Sequence, residues 1–509
     1  MSRSRSLQHC LPALILVGSL FLLYLSTLAP GLTWAHEGSD GGDLIAAAAT
    51  GGVPHPTGYP LYLLMARVFQ AVPVGSLAFR TNLLSAVATA LAAGVIYGLV
   101  ANGSAASPQT HNWPAGLAAG YAFGLAPLVW SQAVITEVYG LQALLVAVIL
   151  FLYSRPAVQF PSAQARLDRW RGLTLGLAMG NHLTTLLLVP AALVLGCVHR
   201  RTPSRLRPSS LSNLTGDGRA LLRQVGMFAA GMALYLTLPL RAMANPPVNW
   251  GNVVTPERFW WLVSGELYRS YYLHFHLAET LERIQTAAAL LLEQFGLPGV
   301  IFAVVGLILY GTRSRLSLLT IWTAVVSAVF AGLYGSHDSY IYLMPVIVCF
   351  AIWMGLFFVG LSDRFARGSS VLWISSALLL TGYLAFRAAT HVSQLDATTD
   401  LRAESFGREV LAAAPEDALL FATGDRAVFT LWYFHFALGE RPDLAVIAVE
   451  LLHFDWYAES LRSTYPSLVV PAPFAWAETV SSANPARPAC YVQGEDGVAL
   501  DCSPPPLPP

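Results

Sequence analysis

Long apolar runs separated by short polar segments dominate the first 390 or so residues of the chain. A helix needs about 20 apolar residues to cross a bilayer, and somewhat fewer where neighbouring helices shelter it. The candidate spans are roughly 9–30, 82–101, 114–129, 133–152, 171–198, 221–240, 298–311, 317–334, 340–360 and 370–388. The first is interpreted as an uncleaved signal-anchor helix, because its apolar core is longer than the 7–15 residues usual for a signal peptide.

Arginines between the spans predict their orientation, because basic loops stay on the cytoplasmic side. Segments 153–170 and 199–223 both carry several arginines and are therefore predicted to lie inside. The span at 171–198 must then cross an even number of times, and Gly180-Asn181-His182 is the predicted turn between two half-spans. This predicts about eleven spans, a cytoplasmic N-terminus and a C-terminal part on the outer side.

Three long segments fall on the predicted outer side: 31–81, 241–297 and the tail from about 389. In the tail, apolar runs at Ala418–Thr423 and Leu444–Leu452 are typical of strands, and Val428–Leu438 is typical of a helix. The predicted organisation is a bundle over 1–390, a small outer α/β domain over 391–465 and an irregular proline-rich tail over 466–509. Cys490 and Cys502 lie in that tail, and the sequence leaves open whether they form a disulfide.

The composition agrees with a membrane protein that is mainly α-helical. Of the 509 residues 55% are hydrophobic and 11% are charged, and the formal net charge is zero. This excludes a soluble enzyme, a disordered chain and a nucleic-acid binder. Only Asp168, Asp217 and Asp363 of the 29 acidic residues fall on the predicted inside, so any chemistry is expected on the outer face.

The first outer segment contains the stretch His36-Glu37-Gly38-Ser39-Asp40-Gly41-Gly42-Asp43-Leu44. Its carboxylates lie just past a predicted span, and its glycines allow a ligand to approach the backbone closely. The residues alone leave three interpretations open. They are a polar cap on a helix that starts near Leu44, a general base whose pKa is raised by partial burial, and an oxygen site for a divalent cation.

A second stretch, Val53-Pro54-His55-Pro56-Thr57-Gly58-Tyr59-Pro60-Leu61, holds His55 and Tyr59 on a rigid, non-helical path. The alternative interpretation is a structural turn whose tyrosine lies among the lipid headgroups. An amphipathic helix at about 61–71 is predicted to lie in the membrane interface.

Further ionisable or polar residues lie at the ends of predicted spans, namely Glu137, Tyr139, His182 and Arg241. An ionisable group at this depth is costly, so each is a candidate for function. Arg241 has a second interpretation, a stem that snorkels to the headgroups, and its guanidinium would also suit a lipid phosphate.

Together these stretches resemble the first-loop signature of a polytopic family of GT-C glycosyltransferases. That family includes a eukaryotic ER protein O-mannosyltransferase and bacterial proteins of unassigned role. Its pattern is approximately Gly-Gly-Asp-Ser-Gly-Glu-Leu followed by His-Pro-Pro-Gly-Tyr-Pro-Leu. Asp40 matches the Asp of this pattern, Asp43 stands in place of its Glu, and Thr57 replaces its second Pro. Weaker similarities are Glu137-Val138-Tyr139, Gly180-Asn181-His182, Leu238-Pro239-Leu240-Arg241, Asn249-Trp250-Gly251 and the tail motif Gly424-Asp425 with Trp432-Tyr433 and Arg441-Pro442-Asp443.

The resemblance implies a GT-C bundle, a polyprenyl-phosphate-linked sugar as donor, with mannose as one candidate sugar, and inversion at the anomeric carbon. Mapped onto this chain, it makes Asp40 the catalytic base and Asp43 a group that assists or orients the acceptor. Arg241 is expected at the leaving lipid phosphate, with His55 and Tyr59 near the donor. The full set of expected substrate-binding residues is His55, Tyr59, Glu137, Tyr139, His182, Arg241, Asn249 and Trp250. No metal ligand is assigned, and a divalent cation remains an open cofactor.

Two other functions compete with this one. A transporter or flippase for a lipid-linked sugar would explain the bundle, but it predicts symmetric halves and binding residues at the bilayer midplane, and no inverted repeat is visible. A scaffold with a sensory outer domain would leave the acidic loop unexplained. The acceptor stays open between a protein, a glycan and a lipid hydroxyl. The absence of lysine and the abundance of alanine favour a bacterial inner membrane as the location.

Overall fold

The computed structural model describes residues 3–102, 112–156, 158, 160–197, 218–272, 277–311, 314–365, 370–471, 476–493 and 499–503. These residues form a helical bundle and a small α/β domain. The predicted fold class, a mainly α membrane protein with a small C-terminal α/β domain, is confirmed. The location of that domain on the outer side stays a prediction, and the name outer domain is used in that sense.

Helices α1 to α16 form the bundle and its connecting segments. They are α1 (Arg3–Ser26), α2 (Gly41–Thr50), α3 (Pro60–Gln70), α4 (Leu77–Ala101), α5 (Trp113–Gly124), α6 (Pro127–Ala133), α7 (Tyr139–Ser154), α8 (Pro161–Met179), α9 (Val189–Cys197), α10 (Gly218–Met232), α11 (Thr237–Ala242), α12 (Pro256–Ser264), α13 (Leu277–Tyr310), α14 (Arg315–Leu333), α15 (Met344–Phe365) and α16 (Ser370–Leu395). Within the described residues, five helical stretches have the length and composition to cross a membrane: Leu77–Ala101, Gly218–Ala242, Glu279–Tyr310, Arg315–Leu333 and Ser339–Asp363. The count of about eleven spans stays a prediction.

Helix α8 departs from the expected layout at its start. The sequence predicts a basic loop up to residue 170, but the helix begins at Pro161 and ends at Met179, next to the predicted turn. Arg166 and Arg169, which suggested a loop, are exposed on this helix, whereas Asp168 is paired inside the protein. Asp168 is fully buried, and its Oδ2 lies 2.7 Å from Nη2 of Arg223, while its Oδ1 lies 3.7 Å from Nη1 of Arg171. A helix can carry exposed arginines on one face and bury a paired aspartate on another, so the charge pattern alone placed its start too late.

The first outer segment contains two helices that the sequence anticipates. Helix α2 follows the acidic stretch, and α3 coincides with the predicted amphipathic helix. The second outer segment is more helical than a loop, because it holds α12 and the first half of α13. A break at Gly296 separates that half of α13 from the predicted span.

The outer domain consists of helices α17 (Arg402–Ala413), α18 (Asp425–Trp432), α19 (Asp455–Thr464) and α20 (Ala477–Ala483) and strands β1 (Leu419–Thr423), β2 (Ala445–Ala448), β3 (Ala489–Gln493) and β4 (Ala499–Ser503). The strand order is β2-β1-β3-β4, with β3 and β4 antiparallel and the other pairs parallel. The prediction of an irregular tail over 466–509 is wrong for α20, β3 and β4. The apolar pair Tyr491 and Val492 lies among prolines and polar residues, which concealed a strand that completes the sheet.

The outer domain packs directly on the first outer segment. Trp34 Nε1 donates a hydrogen bond of 3.1 Å to Thr430 Oγ1, and the carboxylate of Asp400 accepts from Thr33 Oγ1 and the Trp34 backbone N–H. At Gly42 a Cβ would collide with the carbonyl of Phe429, so α2 and α18 touch backbone to backbone. The α/β domain therefore forms one wall around the start of α2.

Cys490 and Cys502 are cross-strand neighbours in β3 and β4 and form a disulfide in the structure. If the tail lies in an oxidising compartment, a maleimide should label the protein under denaturing, non-reducing conditions without modifying either cysteine. Peptide mass mapping should find both cysteines modified only after reduction. Cys349, a free thiol, is the internal control that should react in both cases. Labelling of Cys490 before reduction would contradict the pairing.

Candidate active site

Asp40 lies at the N-terminal end of α2, with its carboxylate near the His55 ring. It occupies the N-cap position, yet its side chain accepts no capping hydrogen bond. The side chain is 38% exposed although protein surrounds it. This combination places the carboxylate at the base of a recess. The interpretation of Asp40 as an ordinary helix cap is therefore not supported, and its oxygens remain accessible to a ligand.

Asp43 is one turn further along α2 and is fully buried. Its Oδ2 accepts hydrogen bonds from the His55 backbone N–H at 2.9 Å and from His55 Nδ1 at 2.7 Å. Its Oδ1 accepts a third from Trp250 Nε1 at 3.1 Å. With both oxygens engaged and no exposed surface, Asp43 is suited to hold its partners in place rather than to exchange a proton with a substrate.

His55 lies between the two carboxylates. Its Nδ1 contacts Asp43, and its Nε2 lies 3.5 Å from Oδ2 of Asp40. Asp43 thus fixes the ring so that the second nitrogen faces Asp40. The Phe429 ring stacks on one face of the imidazole, with the ring centroids 6.2 Å apart, and covers that face.

Electrostatics separate the roles of these three groups. Burial alone would lower the pKa of His55, but the charge of Asp40 and the hydrogen bond to Asp43 outweigh it and raise that pKa to about 9. Burial raises the pKa of Asp40, the charge of His55 opposes the rise, and the charges of Asp43 and Asp338 add to it. Near neutral pH the site therefore combines an imidazolium with a carboxylate of increased basicity.

The second outer segment reaches this group through a short backbone pairing. The Val53 N–H donates to Val248 O at 2.9 Å, and the Trp250 N–H donates to Val53 O at 3.0 Å. This pairing directs the Trp250 indole onto Asp43. Asn249 is buried beside it and donates toward Ala242 O and Asn252 Oδ1, so it shapes the turn.

Aromatic rings extend the recess toward the bundle. Tyr59 meets the His55 ring edge-on at 5.1 Å, and His182 lies 6.2 Å from Tyr59. His182 is also 5.9 Å from Tyr139 and 5.7 Å from Tyr342. Glu137 is buried close enough to Asp40 for the two charges to interact. The structure therefore brings Asp40, Asp43, His55, Tyr59, Glu137, Tyr139, His182 and Trp250 into one neighbourhood, with Asn249 at its edge.

Arg241 is the expected site residue that the structure does not bring into this group. Its Nη1 lies 3.4 Å from the carbonyl of Gly52, just past the end of α2 opposite to Asp40. Arg67 donates to Ala49 O at the same end of the helix. Because α2 has 10 residues, its two ends are about 15 Å apart.

Sequence reasoning missed four residues that face the recess: Tyr268, Asp338, Tyr342 and Asp425. The charges of Asp40, Asp425 and Asp43 add to burial in raising the pKa of Tyr268. Burial and the charge of Asp40 raise the pKa of Asp425 to about 6. The Gly424-Asp425 motif was a usable signal for one of them, whereas the other three lie in segments whose packing the sequence does not reveal.

Among the described residues no group of three His, Cys, Asp or Glu side chains is arranged to hold a metal ion. In the recess the His55 ring lies between the two carboxylates that a cation would otherwise share.

Two family models match the chain. The model described as the N-terminal domain of protein O-mannosyl-transferase TMEM260 covers residues 40–205, beginning at Asp40. The model described as TMEM260-associated domain 2 covers residues 403–492, which include α17 through β3. Both the membrane part and the outer domain thus resemble the same family.

Individual proteins give the same result. The mouse protein O-mannosyl-transferase TMEM260 is 26% identical over 503 residues, which cover 92% of this chain and 66% of that protein. The Dictyostelium discoideum protein of that name is 23% identical, with 86% of this chain and 57% of that protein covered. The chain thus spans two thirds or less of these relatives. The crystal structure of ArnT from Cupriavidus metallidurans bound to undecaprenyl phosphate superposes with a TM-score of 0.57 at 14% identity, covering 94% of this chain and 92% of that one. The fold expected from the resemblance, that of the GT-C glycosyltransferases, is confirmed.

The two aspartates of α2 should differ in their effect on stability. Asp43→Ala removes the acceptor of three buried donors and leaves the His55 charge without its closest partner, so it should lower the free energy of unfolding by about 3 kcal/mol. Asp40→Ala removes one charged neighbour of His55 but leaves no buried donor unpaired, so it should lower the free energy of unfolding less, by about 1 kcal/mol. Denaturant titration in detergent measures both, and equal losses would contradict the assigned roles.

Proposed function

We propose that this chain, which belongs to the GT-C glycosyltransferases in the family of the TMEM260 protein O-mannosyl-transferases, transfers a sugar from a polyprenyl-phosphate carrier to an acceptor hydroxyl on the outer face of the membrane. The observation that carries the proposal is Asp40. It is an accessible carboxylate at the base of a recess, with a raised pKa and next to a histidine held by Asp43.

In the proposed step Asp40 takes the proton of the acceptor hydroxyl as its oxygen attacks the anomeric carbon. A C–O bond forms to the acceptor, the bond from the anomeric carbon to the phosphate oxygen breaks, and its electron pair leaves with the polyprenyl phosphate. A single displacement inverts the anomeric configuration. His55 keeps the Asp40 carboxylate in position, and Asp43 and Trp250 keep His55 in position, so the base is oriented before the substrates arrive.

An apolar groove supports a lipid-linked donor. Its volume is about 450 Å³, and it is lined by Leu187, Tyr272, Val325, Val326, Val329, Phe330, Leu333 and Tyr334. A smaller pocket lined by Tyr139, His182 and Tyr342 shares Leu187 and Phe330 with it and leads toward Tyr59 and His55. A polyprenyl chain in the groove would direct its phosphosugar into the recess. The bound undecaprenyl phosphate of ArnT supports a carrier of this class.

The names of the TMEM260 relatives favour mannose as the sugar and a protein hydroxyl as the acceptor. Glycan and lipid hydroxyls are the other acceptor classes. The predicted topology puts the recess on the side away from the cytoplasm, with the N-terminus inside, and a bacterial inner membrane is the proposed location.

Asp40→Asn should reduce transfer at least about 1000-fold, because an amide cannot accept the proton at neutral pH. In the unsubstituted protein, activity should fall as the pH drops through the pKa of Asp40, which burial raises above the ordinary carboxyl value. Release of polyprenyl phosphate from undecaprenyl-phosphate-linked mannose in proteoliposomes measures both effects.

The matched control is Asp501→Asn, which changes an exposed aspartate on β4. It should retain full activity, and a folded Asp40→Asn protein with full activity would contradict the assignment. The competing flippase predicts a different outcome, since the donor would change leaflet without release of lipid phosphate, and Asp40→Asn would leave that movement intact.

Arg241 remains a hypothesis for binding a lipid phosphate, and its position allows a clear test. If it binds the donor phosphate, Arg241→Gln should raise the donor KM about tenfold or more with little change in thermal stability. If it only holds the carbonyl of Gly52, the donor KM should stay unchanged and the melting temperature should fall. Arg67→Gln, at the same end of α2, is the comparison variant.

A further inference from the structure

We propose that Asp425, at the start of α18 in the outer domain, binds the acceptor and favours acceptors whose hydroxyl has neutral or basic neighbours. The inference rests on the proposed function and extends it. It makes the outer domain a source of acceptor specificity.

Helix periodicity aims Asp425 at the recess. Asp425, Phe429 and Trp432 are spaced i, i+4 and i+7 and therefore share one face of α18. Phe429 stacks on the His55 ring, and the Trp432 ring lies 6.1 Å from that of Trp250. The carboxylate of Asp425 lies on the same face, one turn before Phe429, and is close enough to Asp40 and His55 for their charges to interact.

The start of α18 is held in this position by contacts that do not use the Asp425 side chain. The Gly424 N–H donates to Glu450 Oε1 at 2.8 Å, and Arg426 Nη2 binds Glu37 Oε2 at 3.1 Å. Helix α18 can lie this close to α2 because Gly42 has no Cβ, which would collide with the carbonyl of Phe429. Solvent reaches Asp425 although protein surrounds it closely enough to raise its pKa, and within the described ranges its side chain has no hydrogen bond or ion pair with another side chain. Its oxygens are free to accept from a ligand.

The position of Asp425 distinguishes the acceptor from the donor. The apolar groove and its adjoining pocket are built from bundle residues on the side of Tyr139, His182 and Tyr342. Asp425 approaches from the outer domain, on the side where a water-soluble acceptor would enter. A carboxylate there accepts hydrogen bonds from hydroxyl and N–H groups, and binds cationic groups more strongly.

The charge around the recess sets the preference among acceptors. Asp425 adds to the negative charges of Asp40, Asp43 and Asp338, with the imidazolium of His55 as their nearest positive neighbour. An acceptor with acidic groups beside its hydroxyl would meet repulsion, and one with basic groups would be attracted. Asp425 should therefore contribute to affinity for the acceptor and very little to binding of the lipid-linked donor.

The test uses the full chain in proteoliposomes, undecaprenyl-phosphate-linked mannose as donor, and two peptides in which a threonine is flanked by arginines or by glutamates. The unsubstituted protein should prefer the arginine peptide at least about tenfold in kcat/KM. Asp425→Asn should raise the KM for that peptide about tenfold and remove most of the preference. The donor KM should not change, because the groove proposed for the donor is built from bundle residues. Within the described ranges no hydrogen bond of α18 uses the Asp425 side chain, so the variant should fold.

Asp501→Asn in the same domain is the control and should behave as the unsubstituted protein does. An Asp425→Asn protein that keeps both its peptide KM and its preference would overturn the inference while leaving the proposed function intact. If the unsubstituted protein released no lipid phosphate even to water, the proposed function would fail instead. Asp425→Cys then tests the position without turnover. The arginine peptide should slow its labelling by a charged thiosulfonate, and no protection would again overturn the inference.

Discussion

The buried pair of Asp43 and His55 is the interaction on which the candidate site depends. One carboxylate oxygen accepts both the backbone and the ring N–H of His55, and the other accepts the indole N–H of Trp250. These bonds join the start of α2, the rigid turn after it and the second outer segment. An ion removed from water is tolerated only when its bonds are satisfied, so the pair also constrains the backbone around it. The position of Asp40 follows from that constraint.

The outer domain is part of the same arrangement rather than an appendage. Its helix α18 rests on α2 at Gly42, supplies the ring that stacks on His55 and presents Asp425 to the recess. The bundle contributes the opposite side, where His182, Tyr139 and Tyr342 lie between the apolar groove and His55. A lipid-linked group and a water-soluble group could therefore meet at Asp40 from opposite directions.

Elements that are encoded by a short stretch of sequence could be predicted. The burial and pairing of side chains, which depend on contacts between distant segments, could not. The elements of the first outer segment could be predicted from its acidic stretch, its proline-rich turn and the amphipathic helix that follows. The order β1–α18–β2 could be predicted from the apolar runs of the tail. The sequence could not tell that Asp43 is buried and Asp40 accessible, because both lie in one glycine-rich stretch. It misjudged the start of α8 because Asp168 finds its partner Arg223 far along the chain. Arg241 was grouped with the site residues for a similar reason, because the sequence shows only that it lies at the end of a predicted span. The structure places it at the opposite end of α2 from Asp40.

The contact at Gly42 also bears on how freely such proteins can be recombined. The backbone of Phe429 leaves no room there for any side chain at Gly42. An outer domain transplanted from a distant homologue would have to match the first loop of its new host at this seam. A chimera that exchanges only the outer domain would therefore combine surfaces that do not fit. A chimera that exchanges the first outer segment and the outer domain together would keep the contact between them. The natural module of exchange is thus discontinuous in sequence.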